Sequence, residues 1–338
     1  MLFAGTKFLK GVKKLEAIKK LKETPVGRFF STYPSIFANV ALFALFAALT
    51  PVFLTTNNIM NVLRQVSMYG IMAVGMCFVA FSAHSDIAVG STVGIVNVVW
   101  AKLMIDHGWN PTVSAIFCMA MAIFIGWFLG LIIAKLRVNA MIATFAMQSL
   151  LRALVFIITQ AYPIYNMPES IKWLGHGYIF EVVPIPVAIM IVVAIIGWFV
   201  HTYTKFGRSV YSTGGNREAA YLSGIKTDRM IIAAYMICHA CAALASFVVT
   251  SRLNAGLTTA GTGWEFEATI ACIVGGISLG GGRGRGPGCI LGAIFIGALL
   301  NGMTLINIDA YTQQAAKGIV LLVAICWDTY SYNHKKNA

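Results

Sequence analysis

Residues 206–229 read FGRSVYSTGGNREAAYLSGIKTDR, a polar and charged stretch set between two long apolar runs. A hydrophilic insert of this length, flanked on both sides by hydrophobic sequence, needs water or a partner to satisfy its polar groups. Its centre, Arg217-Glu218-Ala219-Ala220-Tyr221-Leu222, is good helix-forming sequence. Gly214 and Gly215 precede it, Asn216 joins them to it, and Ser223, Gly224 and Ile225 follow, with Gly224 placed to close the helix. The spacing predicts a short helix held outside an apolar body, where it can serve as a handle for a soluble partner.

The flanking sequence defines that apolar body. Of 338 residues, 58% are hydrophobic and 11% charged, and the mean hydropathy is +0.78. Soluble domains carry about 25% charged residues, so the chain reads as an integral membrane protein. Apolar runs of about 20 residues are long enough to cross the hydrocarbon core. They fall near 34–54, 65–82, 87–105, 112–134, 140–160, 182–202, 230–250, 267–279, 289–304 and 312–327. The eighth run is short and carries Glu267 at its entrance, as a re-entrant or broken helix would. The expected fold class is therefore all-α: a polytopic membrane helical bundle of about ten transmembrane segments. A basic arm occupies 1–30, the membrane domain 31–330 with its loop at 206–229, and a short tail 331–338.

Lysine and arginine set the orientation, because they accumulate in cytoplasmic segments. With the N-terminus inside, 19 of the 25 basic residues fall in inner segments. Eight precede the first span, and the others are Lys135, Arg137, five in the 205–229 loop, Arg283, Arg285, Lys335 and Lys336. Both termini and the 206–229 loop are thus expected to be cytoplasmic. The net charge of +13 follows in large part from this topology, and no basic-aromatic patch points to nucleic acid. Residues 1–28 lack the apolar core and small-residue site of a cleaved signal peptide. Phe8, Val12, Leu15, Ile18 and Leu21 recur at helical spacing among lysines. That pattern fits an amphipathic helix on the anionic inner leaflet, with a cytoplasmic partner as the alternative.

Several features invite a chemical reading and fail it. The seven cysteines lie in or beside spans, which disfavours a disulfide framework. Cys238 and Cys241 form a C-x-x-C around His239, yet in an Ala-rich helix they read as small packing residues. The run Gly280 to Gly288 contains no phosphate-binding spacing and reads as a tight inner turn carrying Arg283 and Arg285. Glu265 and Glu267 are two apart, so a helix places them on different faces. Together with the lack of a Ser/His/Asp or metal-ligand cluster, this leaves no catalytic residues, no metal and no cofactor in the chain.

Other features point to packing and to a path. The pairs Gly90/Gly94, Gly126/Gly130 and Gly288/Gly292 have the spacing that lets membrane helices approach closely. Asp86, between the second and third spans, reads as a pathway or gating residue, as a helix N-cap, or as both. Arg152 and Lys317 read as anchors within the bundle, and His239 as a satisfied interior histidine.

The loop also carries a family pattern. Gly207-Arg208, Tyr211 to Asn216, Ala219-Ala220 and Ser223-Gly224-Ile225 resemble the cytoplasmic signature of the ribose/galactose-type permeases of bacterial ABC importers. Asp86-x-x-Val89-Gly90-Ser91, Ala260 to Glu265 and Gly275 to Gly284 are similar to other segments of that family. The resemblance runs from about residue 34 to the end. It implies a permease in the bacterial inner membrane that pairs with a second copy, identical or a paralogue. A cytoplasmic ATPase subunit would bind ATP and magnesium and dock on the loop, and an extracytoplasmic sugar-binding protein would deliver a monosaccharide such as ribose or galactose. It further implies that residues 214–225 carry the coupling helix, with Arg217 facing an acidic groove and Glu218 its one acidic group. Asp86, Ser91, His84 and Glu267 are the expected path or gating residues. The sequence departs from the family where Ala83 and His84 replace a common glycine pair, Ala88 a frequent serine, and Glu267 a usual aspartate. A stand-alone ion-coupled transporter of a small polar solute is the competing class. It would depend on intramembrane carboxylates, of which the sequence offers Asp86 and border-zone glutamates.

Overall fold

The computed structural model describes residues 34–284 and 286–336. The basic arm at 1–30 and Arg285 lie outside the described residues. Thirteen helices are present among them: α1 (Pro34–Leu49), α2 (Thr56–Phe81), α3 (Val89–Ile105), α4 (Pro111–Lys135), α5 (Ala140–Thr159), α6 (Glu169–His176), α7 (Ile185–Tyr203), α8 (Lys205–Gly215), α9 (Arg217–Leu222), α10 (Thr227–Leu253), α11 (Trp264–Val274), α12 (Gly288–Leu305) and α13 (Ala310–Lys336). Among the described residues, strand content is limited to two-residue pairs. β1 (Ile164–Tyr165) lies antiparallel to β4 (Ala255–Gly256), and β2 (Tyr178–Ile179) to β3 (Val183–Pro184).

Local sequence explains where several helices start and stop. The Asn110 side chain accepts from Thr112 N at 2.9 Å ahead of Pro111, which opens α4. Asn139 caps α5 in the same way, accepting from Met141 N at 3.0 Å. Gly275 and Gly276 end α11 after 11 residues, a length of about 16 Å and half of the hydrocarbon thickness.

The ten apolar runs each correspond to a helix, but six of the helices are long and apolar enough to cross a membrane: α2, α4, α5, α7, α10 and α12. The apolar helices at the α1 and α3 positions are shorter, at 10–17 residues. The second helix begins at Thr56, well before the run at 65–82. The intervening polar residues depress hydropathy, yet Asn58 is satisfied internally, donating to Phe53 O and to the Asn301 side chain, both at 2.9 Å.

Helices α2 and α10 form the centre. The apolar window of α2 is 83% buried inside the protein and that of α10 67%, against 22% for α5 and for α7. The glycine spacing on α4 is used for close approach. A Cβ on Gly126 would sit 2.6 Å from Tyr235 O, and one on Gly130 2.7 Å from Ile232 Cα, so the α4 and α10 backbones meet without side chains between them. Cys238 and Cys241 do the corresponding work against Gly75 of α2, where an added Cβ would sit 2.8 Å from Cys241 Cβ.

Candidate functional site: a coupling loop and a buried polar layer

The polar stretch at 206–229 folds as two helices, not one. The Thr204 hydroxyl caps α8 by accepting from Gly207 N at 3.1 Å. Asn216 then breaks the chain, and its side chain accepts from Ala219 N at 3.0 Å to start α9. Gly224 closes α9 with φ +83°, a conformation that favours glycine. Arg217 is half-exposed and held: its Nη2 donates to Asp228 at 2.8 Å and to Ala134 O at 2.9 Å, fastening α9 to the start of α10 and the end of α4. Ala220 is buried, whereas Glu218, Ala219 and Ser223 are exposed, Tyr221 is 68% exposed and Leu222 80%. The loop therefore presents a short helix with a rigid base and an apolar tip.

Three segments distant in sequence converge behind that loop. A Cβ on Gly214 would overlap the Phe81 carbonyl, so the end of α8 touches the backbone at the end of α2. Gly282 N donates to the same carbonyl at 3.1 Å. Gly281, at φ +80°, has room for a Cβ only 2.5 Å from that of Ala83 and 2.7 Å from Gly214 O. The glycine-rich turn thus serves as a backbone filler between α8 and the elbow Ser82–Ala88. Ala83 occupies the left-handed region at φ +62°, a conformation that favours glycine.

From this elbow the chain enters a buried polar layer. Asp86 is 1% exposed; Ala88, not Asp86, stands at the N-cap of α3, and Asp86 Oδ1 accepts from Ala88 N at 2.8 Å while Oδ2 lies 2.9 Å from His239 Nε2. The Asp86–His239 approach is close in distance but off the line of a hydrogen bond. His239 Nδ1 is 2.8 Å from the Thr92 hydroxyl, and the Tyr235 hydroxyl donates to Ser85 O at 3.0 Å. Ser91 is fully buried, and its hydroxyl has no bonding partner among the described residues. His84 sits at the elbow, with Nδ1 2.6 Å from Ser82 O and its ring edge-on to Tyr235 at 6.4 Å between centroids.

Glu265 and Glu267, in the first turn of α11, face opposite ways. Gln148 Nε2 donates to Glu265 Oε1 at 2.8 Å, whereas Lys317 Nζ donates to Glu267 Oε1 at 2.6 Å. Arg152 donates to Thr258 O at 3.2 Å and to Ala260 O at 3.0 Å, bracing the loop that leads into α11. Arg152 and Lys317 are thus internal anchors. No group of three or more His, Cys, Asp or Glu side chains suited to a metal occurs among the described residues. A cleft of about 1460 Å³ opens between α7, α8, α12 and the glycine-rich turn, but Asp86, Ser91 and Glu267 do not line it.

The pairings of Thr92, Gln148 and Tyr235 escape a sequence reading, since each is an ordinary polar residue in an apolar run. The one available signal is its presence at membrane depth, where polar groups need partners.

A family model described as "branched-chain amino acid transport system / permease component" matches residues 58–325, which span both the loop and the polar layer. The chain belongs to this permease family. It is 37% identical to the ribose import permease protein RbsC of Escherichia coli (strain K12) over 298 residues, 87% of this chain and 92% of that protein. RbsC of Bacillus subtilis (strain 168) is 35% identical over 289 residues, 85% of this chain and 89% of that one. The D-allose transport system permease protein AlsC of Escherichia coli (strain K12) is 32% identical over 306 residues, 89% and 92% of the two chains. No solved structure gives a match. Membership gives the permease loop and its buried layer a common context: these relatives are transport permeases, not enzymes.

Proposed function

We propose that this chain is the membrane-spanning permease subunit of an ATP-driven bacterial importer for a monosaccharide of the pentose or hexose class. In this reading the ten apolar helices sit in the inner membrane, with both termini cytoplasmic. A second permease copy completes the translocation path, and an extracytoplasmic binding protein delivers the sugar. A separate cytoplasmic subunit binds ATP and magnesium, and the permease itself performs no hydrolysis. The observation that carries the reading is α9, an exposed Tyr221–Leu222 tip on a base locked by Arg217 and Asp228. A short helix fixed this way can seat in a groove of a motor subunit and pass its movement to α4 and α10, to which Arg217 fastens it, and to α8, from which Asn216 leads. The fixed Arg217 shifts recognition toward Glu218, Tyr221 and Leu222.

Asp86, Ser91, His84 and Glu267 are assigned to the path or its gating. A neutral polyol needs dispersed hydrogen bonds and apolar faces, and a partnerless buried hydroxyl such as that of Ser91 is suited to donating one. The competing ion-coupled transporter would use free intramembrane carboxylates. Asp86 and Glu267 already face His239 and Lys317, which favours the ATP-driven reading.

Co-purification and uptake decide between the two. A tightly held ATPase with ATP-dependent uptake in vesicles is expected. Uphill uptake by the purified chain alone, driven by an ion gradient, would defeat the proposal. Glu218→Lys should lower transport-coupled ATPase activity while membrane insertion is retained.

A further inference from the structure

We infer that Asp86, Tyr235 and His239 are positioning residues that carry movement of the α8–α9 loop into the bundle through the Ser82–Ala88 elbow. The inference rests on the permease reading above and adds the route by which the loop acts.

The outer end of the elbow is joined to the loop by backbone. The Phe81 carbonyl is abutted by Gly214 of α8 and receives Gly282 N at 3.1 Å. Gly281 fills the remaining space, within reach of both Ala83 and the Gly214 carbonyl. Side chains can absorb a displacement by changing rotamer, whereas backbone in direct contact passes it on. A shift of α8 must therefore displace the elbow.

The inner end is joined to the centre of the bundle by side chains. Tyr235 donates to Ser85 O, His239 Nε2 lies 2.9 Å from Asp86 Oδ2, and His239 Nδ1 meets Thr92 of α3 at 2.8 Å. Tyr235, His239 and Thr92 are fully buried. His239 is 12 residues beyond Thr227, the first residue of α10, so it lies about 18 Å along that helix from the loop. The elbow thus links the loop to the interior of α10 and to the first turn of α3.

The elbow is also the part of this route able to move. No regular structure runs from Ser82 to the start of α3 at Val89, and Ala83 holds a left-handed backbone. The Asp86 and His239 atoms that face each other are near but not aligned for a hydrogen bond, and neither has another partner among the described residues. A buried pair in that state gains on tightening and loses on release, which is what a two-position contact requires.

The test uses the complete complex of permease, ATPase and binding protein in vesicles, with labelled D-ribose, D-allose and D-xylose as probes. The readout is sugar imported per ATP hydrolysed, for whichever probe the wild type moves. His239→Gln, which removes the ring that faces Thr92 and Asp86, and Asp86→Asn, which removes the charge facing His239, should each lower that ratio about fivefold or more, the scale of one lost buried polar contact. The double variant should be no worse than the poorer single one, because the two groups act as a unit. Tyr235→Phe, a conservative change that keeps the ring, should lower the ratio about threefold. A purely structural role would reduce the amount of assembled complex and leave the ratio unchanged. Ratios within about twofold of wild type, or losses that multiply in the double variant, overturn the inference. A wild-type permease that assembles with no ATPase, or a complex that imports no pentose or hexose, overturns the permease reading itself, and this inference falls with it.

Discussion

Helix α9 and the Asp86–His239 layer are both polar features of an apolar protein, built by opposite rules. On α9 the groups that fix the helix, Asn216, Arg217 and Asp228, bond within the chain, and the tip formed by Tyr221 and Leu222 is left to solvent. In the interior, at the layer and at the start of α11, Asp86, His239 and Glu267 are at most 1% exposed and each carboxylate faces a basic or imidazole group. An exposed apolar tip costs little to the fold and is available to a partner. A buried charge is tolerable only when matched. The two regions should therefore respond differently to mutation: the buried pairs through stability and coupling, the tip through assembly.

The sharpest way to break that contrast is Lys317→Met. It leaves Glu267 buried and unmatched and should cost about 3 kcal/mol of stability, while Lys317→Met with Glu267→Gln should recover most of the loss. Thermal unfolding in detergent measures both, and equal stability of the single and double variants would refute the pairing. Next is Gly214→Val, whose side chain must displace the Phe81 backbone, at a cost of about 2 kcal/mol and loss of transport. Gly215→Ala, with nothing within 4 Å of the new Cβ, should be close to neutral. If the neighbouring substitutions behave alike, α8 does not press on the elbow.

Leu222→Asp addresses the tip. Stability should change by less than about 0.5 kcal/mol, whereas ATPase binding should weaken by about 2 kcal/mol, or roughly thirtyfold, if Leu222 is an interface anchor. Co-purification at graded concentrations reports it. The smallest effect belongs to Ala83→Gly. Relief of the left-handed backbone at φ +62° is offset by the greater freedom of an unfolded glycine, for a net gain below about 1 kcal/mol. A loss of stability there would mean that the Ala83 methyl group packs usefully against Gly281.

The sequence made α9 legible because its determinants lie within a few residues, helix formers at 217–222 and a closing glycine after them, while the capping by Asn216 emerged with the structure. It did not show that residues 205–215 form a helix of their own, since their glycines and serines are weak helix formers and α8 is held by contact with the ends of α2 and α7. Hydropathy likewise located the apolar runs but missed the polar start of α2, whose asparagine is satisfied by a residue 243 positions away.

Composition and local pattern by themselves determined that this is a helical membrane protein, where its polar loop lies, and where α9 sits and ends. These properties follow from residue preferences that act within one or two turns. Tertiary structure alone decided that Gly214, Gly281 and Phe81 meet, that Lys317 answers Glu267 across 50 residues, and that His239 joins Thr92 across 147. Such pairings depend on how helices cross and rotate against one another. No stretch of sequence, read by itself, carries that information.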